Sequence, residues 1–415
     1  MAHLFLFNPG HEMEMLCGAS HYTPPYTVQC MVNDLEMLPI WYGGGGNFVL
    51  VHNIKASDFM SSLPSEFRRS FSSPMILSLM MKDLFKRKKT GEKPRLPQLK
   101  GVAWGVSQRS SSTFMELKEA GLDLSVTEWK SEYINLTSRQ TSAQCLKKLQ
   151  ERFQITPAVA VPRFFEDIES IKRFVSSDTI PYIIKTPFSS SGRGLYWLDD
   201  NNIDKRAEAW IGSALRKQDM VSVEPALDNV FDFASEFYSD GKGEVKYVGL
   251  SIFKTHSKGR FDGCMLGSQT RLQSLLNEYI LQDDYNVLVE QIRTILQEEI
   301  SHSYEGYMGV DMFIYNTKEG KYAVHPFVEL NLRYTMGLAA MQISRQFIHP
   351  DAQGIFKIKY HVYDAIKEHI RMTNECPLVI EEGKIRSGYM SLCPVEATTH
   401  YMATIEIKQN TGKHI

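Results

Sequence analysis

The sequence predicts a mixed α/β and α+β protein in which a doubly wound parallel sheet is followed by antiparallel sheets. Two observations support this fold class. Up to about residue 125, short apolar strands alternate with helices, which favours a parallel sheet. From about residue 220, strand patterns follow one another directly, as in "VFDFASEFYS" and "EVKYVGLSIFKT", and this order favours antiparallel pairing.

Length and composition limit the classes of protein that fit. A chain of 415 residues exceeds one ordinary core, so two or three domains are expected. The formal net charge of -2 gives no argument for nucleic acid or an anionic membrane as a partner. The N-terminal "HLFLF" is too short for a signal peptide, and no apolar run is long enough to span a membrane. Six scattered cysteines without zinc spacing indicate reduced thiols and a cytoplasmic location.

The first 125 residues contain three apolar strands, "AHLFLFNPG", "NFVLVHN" and "GVAWGVS", and a Ser-capped helix within "SSTFMELKEAGLDLSV". The glycines at 43–46 precede a strand, so they indicate a turn rather than a dinucleotide loop. The basic run at 86–100 is expected to be a solvated loop. "NPGHE" follows the first strand, where doubly wound domains bind ligands. His11 and Glu12 therefore either contact a substrate or only begin a helix.

The remaining elements follow in order from about residue 130. "SRQTSAQCLKKLQERFQI", "FEDIESIKRFVSS", "KRAEAWIGSALRKQ" and "YNVLVEQIRTILQEEI" have helical spacing, while "TPAVAVPRF", "PYIIK" and "MVSVEPAL" have strand patterns. "YMGVDMFIYNTKEGKYAVHPFVELN" predicts two strands joined by a Glu-Gly turn. Helices are expected at 337–348 and 353–371, followed by strand-like "PLVIEEGKIRSGYMSL" and a frayed tail.

A flexible loop follows a lysine in "YIIKTPFSSSGRGLYW". The apolar strand ends at Lys185, and the serines and glycines after it leave backbone N–H groups open to a close ligand. Lys185 and Arg193 place positive charge on either side of the loop. The chain contains no P-loop motif. On this pattern alone, a triphosphate cradle and a mobile connection both remain open.

Oxygen donors are grouped near residue 330. In "VELNLR", Glu329, Asn331 and Arg333 are two residues apart and share one face of a strand. Mg²⁺ bridging phosphate oxygens would satisfy this group. Asp311 lies on the preceding strand, and the turn should bring it within a residue or two of Glu329. A metal site and a solvated hairpin are the two interpretations.

Two further acids lie in "SVEPALDNVFDF". Glu224 ends an apolar strand, where a carboxylate can accept a hydrogen bond from an adenine amino group. Asp232 restarts the next strand, where it could hold ribose hydroxyls. Taken singly, each of them is better explained as a surface acid.

The order of these motifs resembles the ATP-grasp superfamily of carboxylate ligases. "YIIKTPFSSSGRG" resembles its apolar-Lys-x-Pro loop, and "VELNLR" resembles its Glu-x-Asn-x-Arg motif; the match covers roughly 130–345. The resemblance implies two α+β subdomains that enclose ATP, preceded by a Rossmann-like domain. The implied boundaries are 1–125 for the N-terminal domain, 126–220 and 221–350 for the two grasp subdomains, and 351–415 for a C-terminal helix and strands packing on the grasp domain.

The resemblance also implies roles for individual residues. Lys185 would contact the α- and β-phosphates, Glu224 would bind adenine and Asp232 ribose. The loop that would close over the triphosphate contains Ser189, Ser190, Ser191, Gly192, Arg193 and Gly194. Lys254, at the end of "GLSIFKT", resembles a further phosphate-binding lysine.

The metal and catalytic residues follow from the same comparison. Asp311, Glu329 and Asn331 would hold two Mg²⁺ ions, with Mn²⁺ as a compatible substitute. Arg333 would face the γ-phosphate or an acyl phosphate. Arg139 stands where the family usually has a lysine, and it keeps the charge without the same geometry.

A second departure concerns the cation that would stabilise the transition state. Gly309 replaces an arginine that many members carry two residues before the first metal acid. Arg193 or Arg333 would then have to supply that cation.

The implied activity is ATP- and Mg²⁺-dependent ligation of a small-molecule carboxylate to an amine or another nucleophile through an acyl phosphate. A phosphotransferase and a nucleotide-binding protein without turnover are the alternatives. Residues 255–285 should line the acceptor pocket, and their mixed polarity suggests an amino acid or peptide as substrate. The resemblance leaves a homodimer open.

Overall fold

The structure is a computed structural model that describes residues 1–17, 23–54, 56–90, 96–177, 179–189, 194–200, 202–256 and 260–409. The chain divides into two compact units. The first contains Met1–Lys130, Gly263–Arg271 and Arg333–Ile415, and the second contains Ser131–Asp262 and Leu272–Leu332. The four-part division expected from the sequence stays a prediction. No helix in the described part of the chain is long and apolar enough to cross a membrane.

A parallel sheet opens the first unit. Its strands are β1 (Ala2–Leu6), β2 (Phe48–Val51), β3 (Ser73–Ile76), β4 (Leu99–Ala103) and β5 (Leu124–Ser125), in the spatial order β3-β2-β1-β4-β5. The order reverses between β1 and β4, so the crevice at their carboxyl ends is where doubly wound sheets bind ligands. The predicted doubly wound sheet is confirmed.

Helices accompany this sheet. They are α1 (His11–Cys17), α2 (Tyr26–Leu35), α3 (Pro39–Tyr42), α4 (Ala56–Ser62), α5 (Leu77–Thr90) and α6 (Gln108–Glu119), with a short 3-10 helix at Ser65–Phe67. Helix α6 begins with a capping box in which the Ser107 and Ser110 side chains accept from each other's backbone N–H. Leu4, Leu99 and Phe114 are buried in the core beneath it. Helix α5 extends to Thr90, so the first part of the basic run expected to be a loop is helical.

The second unit begins with a helix pair and a small antiparallel sheet. Its elements are α7 (Glu132–Thr137), α8 (Arg139–Phe153), β6 (Arg163–Phe165), α9 (Ile168–Val175), β7 (Tyr182–Lys185), β8 (Leu195–Leu198), α10 (Lys205–Gln218) and β9 (Val221–Pro225). The strand order is β6-β9-β7-β8. Ile171, Ile184 and Ile211 are fully buried beneath the sheet. The strand expected over "TPAVAVPRF" is confined to Arg163–Phe165.

A larger antiparallel sheet completes the second unit. Its elements are β10 (Asp228–Asp240), β11 (Val245–His256), β12 (Arg260–Leu266), α11 (Gln269–Leu276), α12 (Gln282–Glu299), β13 (Glu305–Asn316) and β14 (Tyr322–Asn331). Within this unit the order is β14-β13-β10-β11. Both β12 and α11 begin in one unit and end in the other. Helix α8 lies on β14, where the Leu330 N–H donates to Ser142 Oγ at 2.9 Å.

The C-terminal part of the first unit is mostly β-structure. It contains α13 (Met336–Phe347), β15 (Ala352–Tyr360), α14 (Ala365–Glu375), β16 (Val379–Glu381), β17 (Lys384–Ser391) and β18 (Tyr401–Gln409). The helix expected at 353–371 is wrong in its first half, because β15 pairs with β18 along its whole length. The tail expected to fray is β18 up to residue 409; Ile405 and Ile407 are buried on either side of half-buried Glu406.

Trp41 anchors the core of the first unit, and its removal should be costly. The side chain is fully buried, Nε1 donates to the Leu392 carbonyl at 2.6 Å, and the ring meets Phe71 and Phe347 edge-on. We expect Trp41→Ala to lower the free energy of unfolding by about 3–5 kcal/mol in urea denaturation. Tyr363→Ala, at a side chain 89% exposed, should change it by less than about 0.5 kcal/mol. Similar losses in both variants would contradict this packing.

Candidate active site

Lys185 and Glu224 form a buried ion pair on the small sheet of the second unit. Strands β7 and β9 are neighbours, with Ile183 opposite Glu224 and Lys185 opposite Ser222. Lys185 is 8% exposed, and its Nζ contacts Glu224 Oε1. A buried ammonium requires such a partner, because desolvation of an unpaired charge is expensive. Lys185 and Glu224, both predicted to bind the nucleotide, are therefore in contact although they lie 39 positions apart in the sequence.

The loop after β7 is anchored at both ends. The Thr186 N–H donates to the Gly194 carbonyl at 2.9 Å, and the Gln218 side chain exchanges two hydrogen bonds with the backbone of Phe188. A Cβ at Gly194 would lie 2.2 Å from Thr186 Oγ1, so the close approach requires glycine. Ser190, Ser191, Gly192 and Arg193 lie outside the described residues.

Arg139 joins this loop to the larger sheet. Its guanidinium is buried, and Nη1 donates to the Thr186 carbonyl at 2.6 Å and to Ser189 Oγ at 2.9 Å. Nη2 lies 3.0 Å from each carboxylate oxygen of Glu329. Within the second unit, the start of the Ser/Gly loop and the acidic row on β14 thus meet at one side chain. This contact links residues 190 positions apart, and no local pattern could have indicated it.

The three predicted metal ligands share one face of the larger sheet. Asp311 lies directly opposite Glu329, and Gly309 lies opposite Asn331. Residues directly opposite on paired strands point the same way, as do residues two apart on one strand. Asp311, Glu329 and Asn331 therefore form a row of oxygen donors on that face.

The donor set fits a magnesium ion that is also bound by phosphates. Among the described residues, no group of three or more His, Cys, Asp or Glu side chains is placed to hold a metal ion. Mg²⁺ typically uses only one or two carboxylates together with substrate phosphates and water. Two carboxylates and an amide meet that requirement, although a metal at Glu329 would have to share or replace the Arg139 contact.

Asp232 lies on the same face as this row, on β10. It is opposite Phe313 and accepts hydrogen bonds from Asn229 Nδ2 at 2.7 Å and from Thr255 Oγ1 at 2.6 Å. Lys254 is exposed, and because neighbouring strand residues alternate, it points away from the face that Thr255 shares with Asp232. The structure thus brings Asp232 towards the site and does not bring Lys254 there.

His325 on β14 is a buried group that the sequence did not single out as functional. It is 6% exposed, and its ring centroid lies 4.9 Å from that of Phe313. Its Nδ1 has no hydrogen-bond partner within the described part of the chain. Burial, assisted by the charge of Lys185 and opposed by Glu224, lowers the pKa of His325 to about 4. The imidazole is therefore neutral at neutral pH, next to the Lys185–Glu224 pair.

This pKa makes the stability of the protein depend on pH. The unfolded chain protonates His325 near pH 6.5, whereas the folded protein resists protonation until about pH 4. The unfolded state therefore binds more protons between these values, and the free energy of unfolding should fall as pH is lowered from 6.5 to 4.5.

A His325→Gln variant should reduce that loss by about 2 kcal/mol in urea denaturation curves at the two pH values. His302→Gln, at an exposed position, should retain the wild-type pH dependence. An unchanged dependence in His325→Gln would show that this imidazole is protonated as readily in the folded state as in the unfolded chain.

Arg333 lies in the first unit. Its Nε donates to Glu12 Oε1 at 2.8 Å, and Glu12 follows β1 at the carboxyl edge of the parallel sheet. The sequence left two interpretations of Glu12 open, a substrate contact and a helix start, because "NPGHE" is compatible with both. The structure shows the helix start, since α1 begins with His11 and Glu12 and both are buried. The substrate contact stays a prediction.

Comparison with known proteins identifies the fold. No model of a protein family matches the sequence, and no curated protein matches it. The biotin carboxylase domain of 2-oxoglutarate carboxylase from Hydrogenobacter thermophilus matches with a TM-score of 0.53 at 12% identity, over 99% of this chain and 86% of that chain. Biotin carboxylase from Campylobacter jejuni matches with a TM-score of 0.52 at 10% identity, over 99% and 87%. Both are ATP-grasp enzymes. This chain has the ATP-grasp fold.

The ATP-grasp fold confirms the architecture that the sequence motifs predicted. At 10–12% identity the likeness extends to the fold alone. The activity has to be argued from the residues of this chain.

Proposed function

We propose that this protein is an ATP- and Mg²⁺-dependent ligase that joins a small-molecule carboxylate to an amine through an acyl phosphate. The observation that carries the proposal is the buried Arg139, which contacts Ser189 at the start of the Ser/Gly loop and Glu329 of the acidic row. The similar domain from H. thermophilus was solved with MgADP, ADP and bicarbonate, and the similar C. jejuni enzyme with β-γ-ATP. These ligands support a nucleotide in the corresponding fold.

The proposed nucleotide contacts lie on both sheets of the second unit. Lys185 would bind the α- and β-phosphates, and Glu224, which it contacts, would accept a hydrogen bond from the adenine amino group. Asp232 would bind the ribose hydroxyls. Arg139 would add a phosphate contact next to the loop. The loop from Ser189 to Gly194 would close over the triphosphate, while strand β7 would hold Lys185 in position.

Asp311, Glu329 and Asn331 are the residues that would hold magnesium, for which we propose two ions. When bound, the metal would neutralise charge on the β- and γ-phosphate oxygens. Because these three residues lie on paired, hydrogen-bonded strands, they need little reorganisation to hold their positions.

The proposed reaction has two steps. A carboxylate oxygen of the substrate attacks the γ-phosphorus, the bond to the β–γ bridging oxygen breaks, and ADP leaves. The amine nitrogen then attacks the acyl carbon, inorganic phosphate leaves with the bonding electron pair, and the nitrogen loses a proton. Arg333 or Arg193 would stabilise the charge on the transferred group, and a closed loop would keep water from the acyl phosphate.

Hydroxylamine trapping distinguishes this proposal from its alternatives. The protein would be incubated with ATP, Mg²⁺, hydroxylamine and a panel of amino acids, short peptides and other carboxylates, while ADP and hydroxamate are measured. A ligase should release ADP only with a suitable acid and should convert that acid to its hydroxamate. A phosphotransferase acting on a hydroxyl group would release ADP without hydroxamate. One acting on a carboxylate would form hydroxamate but would release no inorganic phosphate when an amine replaces hydroxylamine, and a binding protein would form neither product. Glu329→Gln should abolish both products.

A further inference from the structure

Helix α5 carries a basic segment that the proposed nucleotide site does not use. The sequence "KDLFKRKKTGEKPR", at 82–95, has seven basic and two acidic residues, although the whole chain has a formal net charge of -2. The structure extends α5 to Thr90, so this segment is helical up to that residue. The overall charge of the chain therefore hides a local concentration of positive charge on one helix.

This helix has a buried side and an outward side. Met80 and Leu84 are buried in the core of the first unit, together with residues of the parallel sheet. Lys82, Lys86 and Lys89 follow the spacing i, i+4 and i+7, which places them in one row on a helix surface. At about 100° per residue this row lies opposite the buried side, and all three lysines are exposed.

Two large apolar side chains flank the row of lysines. Leu79 and Phe85 are each 54% exposed. Around the helix axis, Leu79 lies on one side of the row and Phe85 lies on the other. We call these five residues the outward face of α5. A single exposed apolar residue is common on protein surfaces, whereas apolar groups on both sides of a basic row form an amphipathic surface.

Stabilisation of the helix accounts for only part of this charge. Basic residues in the last turn complement the helix dipole, and Lys89 lies in that turn. Lys82 and Lys86 lie before it. Asp83 is the only acid in the sequence of α5, and it pairs with Arg87 at 2.6 Å. The positive charge of the outward face is therefore not neutralised within the helix.

We propose that the outward face of α5 docks on an anionic lipid surface, with its lysines at the headgroups and with Leu79 and Phe85 at the boundary of the acyl chains. Each lysine close to such a surface strengthens binding by charge complementarity, and its long side chain can reach past apolar neighbours to the headgroups. A nucleic acid backbone would attract the same lysines, but it offers no apolar layer for Leu79 and Phe85.

The charge of the rest of the chain supports one orientation on that surface. Because the segment at 82–95 is basic and the chain as a whole is slightly acidic, the remaining residues carry net negative charge. Anionic lipids would repel them and attract the outward face. This proposal goes beyond the proposed function and does not depend on it.

Vesicle flotation of the whole chain tests the proposal. Vesicles of phosphatidylcholine alone would be compared with vesicles that also contain phosphatidylserine. Each would be used at low ionic strength and at about 1 M salt, where the Debye length is about 3 Å. We expect strong binding to the anionic vesicles at low salt, a large loss of that binding at high salt, and little binding to phosphatidylcholine alone.

Two variants separate the charge from the apolar contact. The triple variant Lys82→Gln, Lys86→Gln and Lys89→Gln should weaken binding to the anionic vesicles about a hundredfold, since each lysine near such a surface contributes about fivefold. The double variant Leu79→Ser and Phe85→Ser should weaken it about tenfold and keep the salt dependence. Because all five positions are exposed, both variants should melt close to the wild-type temperature.

A matched control removes the same charge elsewhere in the first unit. Lys359→Gln, Lys367→Gln and Lys408→Gln change exposed lysines on β15, α14 and β18. This control should bind the anionic vesicles far more tightly than the triple variant of α5 does. The comparison separates the outward face from the net charge of the protein.

Several results would overturn the proposal. They are a wild-type protein that does not bind the anionic vesicles, equal binding to phosphatidylcholine alone, and a control that loses as much binding as the triple variant of α5. Unchanged binding in the variant of Leu79 and Phe85 would overturn it as well, because the lysines alone would then hold any polyanion. Tighter binding to double-stranded DNA at the same phosphate concentration would assign the face to a nucleic acid instead.

Discussion

Replacing Lys185 with methionine is expected to remove most of the thermal stabilisation that ATP and Mg²⁺ give to the wild-type protein. The ammonium group of Lys185 is buried at the end of β7 and paired with Glu224. Methionine retains much of the side-chain volume and removes the charge that the phosphates need. A ligand at 100 times its Kd stabilises the folded state by about 2.7 kcal/mol, and a hundredfold loss of affinity reduces this to about 0.4 kcal/mol.

Differential scanning fluorimetry over a range of ATP concentrations measures this effect directly. Lys357→Met is a matched control, because Lys357 is also a largely buried lysine paired with a glutamate, Glu406, but belongs to the first unit. The control should respond to ATP like the wild type. Equal melting-temperature shifts in all three proteins would place the nucleotide away from Lys185.

Breaking the ion pair of Arg139 and Glu329 should have the second largest effect, on both stability and ADP formation. Glu329→Gln removes the negative charge of the carboxylate that accepts two hydrogen bonds from the Arg139 guanidinium. The Arg139 side chain is 10% exposed. Breaking a fully buried pair costs about 3–5 kcal/mol; because Glu329 is 27% exposed, we expect a loss nearer 1–2 kcal/mol in the free energy of unfolding. ADP formation should fall at least a hundredfold, since Glu329 is also a proposed metal ligand.

A double-mutant cycle isolates the pair. Arg139→Gln and Glu329→Gln, singly and together, should show a clear coupling energy in urea denaturation. The exposed Arg152–Glu298 pair in the same unit is the control, and solvent screening should make its coupling much weaker. Coupling no larger than that of the exposed pair would mean that Arg139 does not hold Glu329 in solution.

Local sequence patterns predicted much of this fold, because helix caps, hydrophobic spacing and turn residues determine where many of its helices, strands and turns begin and end. Helix α10 coincides with "KRAEAWIGSALRKQ", since Asp204 caps its first turn and apolar residues recur at helical spacing. The Glu-Gly turn pairs Asn316 with Tyr322. After a register shift between Asp311 and Phe313, the structure pairs Asp311 with Glu329, within the residue or two that the sequence predicted. The Gly43–Gly46 segment is a turn before β2, as its position ahead of a strand indicated.

Other features depend on partners far away in the chain. The segment at 352–360 has apolar residues compatible with both periods, and pairing with β18, more than forty residues later, makes it a strand. The Arg139–Glu329 contact and the burial of His325 likewise arise only after separate strands assemble. The Arg333–Glu12 and Ser107–Glu14 hydrogen bonds were missed for the same reason, because each joins distant segments of the chain.

The central claim is that the Ser/Gly loop and the acidic row enclose one metal-bound nucleotide. Electron paramagnetic resonance of Mn²⁺, used in place of Mg²⁺, tests it most directly, because the free ion gives a signal that binding removes. We predict that the wild-type protein binds Mn²⁺ tightly only when ADP is present, and that Lys185→Met and Glu329→Gln each abolish this binding. Mn²⁺ binding that is independent of ADP, or that survives in either variant, would contradict the account.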